Sequence, residues 1–249
     1  MIYGLYNSAA GMATNEYRQA VLANNLANAD TVGFKRDIPV FAERAPARLA
    51  GDRSGPSAPD LAGLSGGLWL GRTCTDFGEA SKVKTDNPLD VALDGPGFLS
   101  VAADGQRRLT RDGRMRLDTQ GRLVAVSDGA PVLGRGGMPL QLNPFGGPPS
   151  IDQDGRIQQD GQILGELDVV DVTNYAALQK VGEGRYATPD ENLRPSPANV
   201  YSGYTESSGV KPVSELVSMI DASRAYQLNA QMISVQDQSL GRLITLISG

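Results

Sequence analysis

The sequence predicts an α+β protein, with a long helix at each end of the chain and an antiparallel all-β domain between them. Three observations predict it. From Pro212 onward there is no glycine until Gly241 and no further proline, so a helix can run nearly to the end of the chain. Residues 5–28 read as a second helix, rich in alanine and poor in charge. Between the two, from Pro88 to about Ala187, the apolar period changes to two and repeated Asp-Gly pairs cut the chain into short segments.

In the C-terminal helix, Met219, Tyr226, Ile233, Leu240 and Ile247 recur every seven residues. That spacing holds one seam against a partner in a supercoiled, coiled-coil-like pair. Val213, Leu216, Val217, Ile220, Leu243 and Ile244 widen the seam at its ends. Pro212 suits the first helical turn, where its missing N–H costs nothing. Unbroken, the helix would be on the order of 55 Å long, too long for one small domain to cover. The other face carries Ser218, Gln227, Asn229, Gln231 and Gln236 instead of the Glu and Lys of a solvated helix. Small, uncharged polar residues suit close packing on several sides, or a wet and neutral lining.

The N-terminal helix offers Leu5, Ala9, Met12, Ala23, Leu26 and Ala27 as apolar positions, with Tyr6, Ala10, Ala13, Tyr17 and Asn24 as an adjacent stripe. Its alanines allow close approach but bury little surface, so both terminal helices need partners: each other, or the same helix in another subunit. Asn28 and Asp30 are placed to end the helix, Gly33 to take a positive φ, and Phe34 to anchor the exit of the chain.

Five segments follow: the N-terminal helix (1–32), an extended linker and loop (33–86), the β domain (87–195), a return linker (196–210) and the C-terminal helix (211–249). Residues 39–68 are rich in Ala, Gly, Pro, Ser and Asp and read as a loop. Trp69, the sole tryptophan, reads as a core or inter-domain anchor. In the β domain Val91, Leu93, Phe98, Val101, Met115, Leu117, Leu123 and Val126 alternate, and 164–172 forms a further strand. Asp94-Gly95, Asp104-Gly105, Asp112-Gly113, Asp128-Gly129 and Asp160-Gly161 are hairpin signals, because both residues tolerate positive φ.

Composition excludes much. The 249-residue chain has a net charge of −5 and no basic cluster, which argues against nucleic acid. It has no apolar run long enough to insert in a membrane, and its first residues lack the pattern of a cleaved secretory signal. Histidine is absent and Cys74 is the single cysteine, so His-based catalysis and a Cys/His metal centre are impossible. Asp90 and Asp94 are the best carboxylate pair, but one sits in an apolar strand and the other in a turn. Asp152, Asp154 and Asp160 suggest a calcium loop only faintly: the twelfth position from Asp152 is Ile163, not glutamate, and hairpin turns explain them better. No catalytic residue, cofactor, metal or small-molecule substrate is expected.

Asn24, Asn25, Leu26, Ala27 and Asn28, followed by Gly33, Phe34 and Lys35, resemble the N-terminal signature of the bacterial flagellar rod and hook axial proteins. Thr85–Leu93, Leu109–Gly113, Gly121–Val124, Val210–Val213 and Arg224–Tyr226 resemble later segments of that family in the expected order. The resemblance implies a structural rod subunit whose terminal helices pack with copies of itself and with other rod proteins. It implies export by the flagellar apparatus without a cleaved signal, and residence in the basal body. Within the family, the compact length and the Val-Lys-Pro-Val lead-in to the last helix are most similar to a proximal rod subunit, with a distal one as the alternative. A secreted ligand-binding β module is the alternative from another class.

Overall fold

The structure, a computed structural model, describes residues 2–43 and 67–248; most of the loop expected at 39–68 lies outside them. Helix α1 (Ile2–Ala27) is followed by β1 (Asp37–Glu43), β2 (Leu68–Thr75), β3 (Lys82–Lys84), β4 (Val91–Asp94), β5 (Phe98–Ala103) and β6 (Gln106–Thr110). Next come β7 (Met115–Leu117), β8 (Leu123–Ala125), β9 (Ser150–Ile151), β10 (Arg156–Gln159), β11 (Gln162–Glu166) and β12 (Val169–Val172). The chain ends with β13 (Gln179–Lys180), β14 (Arg185–Ala187), β15 (Leu193–Pro195), β16 (Asn199–Ser202), β17 (Tyr204–Glu206) and helix α2 (Pro212–Ser248). The two terminal helices and the antiparallel β middle are those that periodicity predicts. The segment 164–172 divides into two strands that join different sheets, β11 beside β10 and β12 beside β5.

The elements form two compact units. One holds α1, β1, β2 and α2; the other holds Asn28–Arg36 and Asp76–Val210. In the helical unit β1 and β2 pair antiparallel, with a bulge between Val40 and Phe41. The bulge sets Ala42 opposite Trp69, on the side of Ile38 and Val40, because cross-strand partners share a face. That side is open, so Trp69 is 61% exposed rather than the core anchor its apolar neighbours suggest. A two-stranded ribbon has one face that its helix does not cover; here Tyr17 of α1 bonds Thr73 from the other side.

The β unit is organised by an antiparallel sheet in the order β13-β14-β6-β5-β12-β15. Leu99 and Val101 of β5 point into one apolar cluster with Val91, Met115, Leu123 and Ile157. Phe98, from the opposite face of the same strand, joins Leu109, Val170, Val172 and Tyr186. Both faces of the sheet are therefore covered, which is why β5 reads as a nearly continuous apolar run. Asp104-Gly105 and Asp160-Gly161 take positive φ at both residues and close the β5–β6 and β10–β11 hairpins in two residues, as their turn chemistry requires. Residues 196–210, expected as a linker, supply β16 against β4 and β17 against β3.

Candidate assembly surface

Helices α1 and α2 lie antiparallel, and side chains mark the register. Gly4 faces Gln236, Gly11 faces Asn229, and Asn25 bonds Glu215. Each step of seven on one helix is met by seven, in the other direction, on its partner, and buried Ala222 falls on the same line. A Cβ at Gly11 would stand 2.9 Å from the Asn229 amide nitrogen, so glycine is what lets the backbone of α1 approach so closely.

The apolar seam read from sequence borders this contact but does not form its centre. Met219, Tyr226, Ile233 and Leu240 are half-buried, as are Leu5, Met12 and Leu26 on α1; Ile247 lies outside the described side chains. The centre is the small and polar column Glu215, Ala222, Asn229 and Gln236, in which Asn229 and Gln236 come from the face that reads from sequence as suited to close packing or to a wet lining. A search for apolar periodicity cannot find such a column.

Val213, Val217, Ile220, Leu228, Met232 and Val235 are all half or more exposed. At about 100° per residue Val213, Val217 and Ile220 fall on the side of α2 opposite that column, and Leu228, Met232 and Val235 continue the exposed surface along its flank. Val213, Val217 and Ile220, expected to widen the internal seam, instead form one end of this outer stripe. An apolar helix face of this length is the mark of a surface made for another chain.

The signature residues divide between the units. Asn25, 1% exposed, belongs to the helical unit: its amide donates to the carbonyl of Asp37 at 2.8 Å and to Glu215 at 3.3 Å, and its oxygen accepts from the N–H of Asp37 at 2.9 Å. Asn24 and Ala27 are exposed and Leu26 is half-buried. Asn28 through Lys35 belong to the β unit. The carbonyl of Asn28 accepts the Ser208 hydroxyl at 2.8 Å, and its side chain accepts the Thr31 hydroxyl.

Gly33 has φ 68°, as expected, and donates to the carbonyl of Glu206. Phe34 is buried under the Lys180 ammonium, 4.5 Å from the ring centre. Lys35 is fully buried and donates to Glu206 at 2.6 Å and to the carbonyl of Gly78 at 2.8 Å. Arg111 holds the other carboxylate oxygen of Glu206 at 3.2 Å. Burial pushes the Lys35 ammonium down from its ordinary range, against the pull of Glu206. Glu206 and Arg111 are the residues that sequence reading did not assign; the one hint was a charge at the inward position of the alternating Tyr204-Thr205-Glu206.

The expected turn role of the acidic cluster is visible in its bonds. Asp152 accepts the N–H groups of Asp154 and Arg156, and Asp160 accepts that of Gly147. Asp90 accepts from Asn87 and Asp94 pairs with Lys82, which ties each carboxylate into its own strand end.

A helical pair with an open apolar stripe, and a β unit whose buried charges are spent on internal pairs, define a structural protein. Comparison with known proteins gives its family. Residues 5–35 match the family described as "Flagella basal body rod protein", and residues 201–246 match "Flagellar basal body rod FlgEFG protein C-terminal". The chain is 33% identical to the flagellar basal-body rod protein FlgG of Buchnera aphidicola subsp. Schizaphis graminum, over 99% of this chain and 100% of that protein. It is 33% identical to FlgF of Caulobacter vibrioides over 86% of this chain and 84% of that protein, and 30% identical to FlgG of the same organism over 95% and 96%. The chain belongs to the flagellar basal-body rod protein family, of F/G type, whose members are structural subunits and not enzymes.

Proposed function

We propose that this chain is an axial subunit of the flagellar rod, of the proximal type lettered F. Its terminal helices form a coiled-coil-like module that assembles helically with copies of itself and with other rod proteins, enclosing the export channel and transmitting torque. It reaches the rod through the flagellar export apparatus. The observation that carries the reading is the exposed stripe Val213, Val217, Ile220, Leu228, Met232 and Val235 on α2. The Val210-Lys211-Pro212-Val213 lead-in favours the F type. The end-to-end similarity to FlgG proteins favours a second reading, the distal rod subunit.

The test is the double variant Leu228→Asp, Met232→Asp. Both side chains are exposed in the single chain, so circular dichroism and melting of the monomer stay as in the parent. The ordered helical filaments that the parent forms in vitro, seen by electron microscopy, should be lost. A double variant that assembles like the parent would remove α2 from the interface.

A further inference from the structure

Phe145 is the most exposed large apolar side chain of the β unit, at 96%, yet the loop that carries it is locked. The buried amide of Gln159 donates to the carbonyls of Asn143 and Gly147 at 2.8 and 2.9 Å and accepts from the N–H of Asn143 at 2.9 Å. Asp160 accepts the N–H of Gly147 at 3.0 Å, and the Asn143 side chain accepts that of Phe145 at 3.0 Å. Pro144, Pro148 and Pro149 stiffen the segment further. Five hydrogen bonds thus hold a bare aromatic ring out in water. A loop whose ring merely strayed to the surface would not need them; an anchor whose ordering entropy is lost before binding would.

The same unit carries a socket. A cavity of about 320 Å³ opens beside β12 and β15, at the small end of the range for ligand pockets and of a size for one side chain. Leu167, Leu193 and Ala198 line it, and Arg135 and Arg194 stand among its walls. Both guanidinium groups are held in place, Arg135 by Glu166 at 2.7 Å and Arg194 by Asp171 at 2.6 Å. A guanidinium in this position favours an aromatic face, and it favours the exposed Asp160 that flanks the Phe145 loop.

The knob loop is tied to the tip of the β10–β11 hairpin, at Gln159 and Asp160. The cavity lies at its base, where Glu166 pairs with Arg156. Four residues of strand separate the two, roughly 13 Å. Knob and socket at opposite ends of one element make a heterologous contact, which repeats from copy to copy.

We propose that Phe145 of one copy of this chain docks in the Arg135/Arg194 cavity of a second copy, stacking β units head to tail. The contact rests on the reading of the chain as a self-assembling subunit, and adds to it a surface outside the helices. It is read in full-length chain carrying Leu228→Asp, Met232→Asp, by sedimentation over a concentration series. That parent should form a ladder of oligomers. Adding Phe145→Ser, or Asp154→Trp at the cavity mouth, should weaken association roughly thirtyfold. Arg135→Glu serves as a second cavity variant, and near-ultraviolet circular dichroism reports the fold of each.

An equimolar mixture of the Phe145→Ser and Asp154→Trp chains retains one good knob and one good socket per pair, so it should stop at the dimer. A parent that stays monomeric, a ladder indifferent to Phe145→Ser, or a mixture that fails to dimerise overturns the contact. Ordered filaments of the unmodified chain, lost in the helix variant, would leave the helix reading standing in each of those cases.

Discussion

Lys35 and Glu206, 171 residues apart in sequence, form a buried ion pair at 2.6 Å, with Arg111 on the second carboxylate oxygen at 3.2 Å. The pair clamps the segment that leaves α1 onto the last strand before α2. Within the β unit, the ends of the domain are thus joined by charge as well as by the buried Phe34 ring. Such an arrangement is unforgiving, because each buried ion depends on the others for its solvation.

Replacing Glu206 with Gln should therefore destabilise the β unit by about 3–5 kcal/mol, since it leaves two buried cations without a counter-ion. Lys35→Met should cost less, because Glu206 keeps Arg111 and the N–H of Ala80. Urea unfolding followed by circular dichroism gives the order directly. A larger loss for Lys35→Met than for Glu206→Gln would refute the clamp as described.

Gly33→Ala attacks the same clamp through the backbone. Its φ of 68° strains any L side chain, and an added Cβ would lie 2.4 Å from the carbonyl carbon of Arg111. Backbone atoms cannot move aside as a side chain can. A loss of at least ~2 kcal/mol is expected, seen as a lowered melting temperature of the β unit; unchanged melting would mean that the loop relaxes freely.

Tyr175 supplies a pH dependence. Burial, and then its 2.7 Å hydrogen bond to Asp171, raise the phenol to about 12, whereas in the unfolded chain it ionises near pH 10. The native state thus keeps a proton that the unfolded state loses. Its contribution to stability is complete below about pH 10 and is lost as the pH rises toward 12. Ultraviolet titration should show a late phenol step that Tyr175→Phe removes, together with its share of the alkaline loss of stability.

Asn25→Ala should act on the helical unit alone. It deletes three hydrogen bonds that tie α1 to β1 and α2, at a cost of roughly 2–3 kcal/mol. Limited proteolysis of dilute monomer should then cut α1 and α2 faster while a fragment spanning the β unit persists. Equal acceleration throughout the chain would mean that the two units unfold as one.

How much of this was legible in the sequence differs from feature to feature. The helices and turns were, because seven-residue spacing, the glycine- and proline-free run after Pro212 and the Asp-Gly pairs act over a few residues. The turn at Gly33 was legible for the same reason. Trp69 was misread because a single bulge in β2 decided which face it took, and a bulge leaves no mark in composition. Asn229 and Gln236 were legible only as members of a face suited to close packing or to a wet lining, because small and polar groups carry no apolar period that would choose between the two.

By itself, then, the sequence determined the class of fold, the ends of the long helices, the absence of histidine chemistry and, through its signature, the family. Only the tertiary structure decided which side of α2 is spent on α1 and which stays open, that Lys35 meets Glu206, and that Phe145 is held out in water by Gln159. The physical reason is range. Helix and turn propensities are local free energies summed along the chain, whereas ion pairing, helix register and the display of a ring depend on groups brought together from as far as 190 positions apart. Such contacts exist only once the whole chain has closed around them.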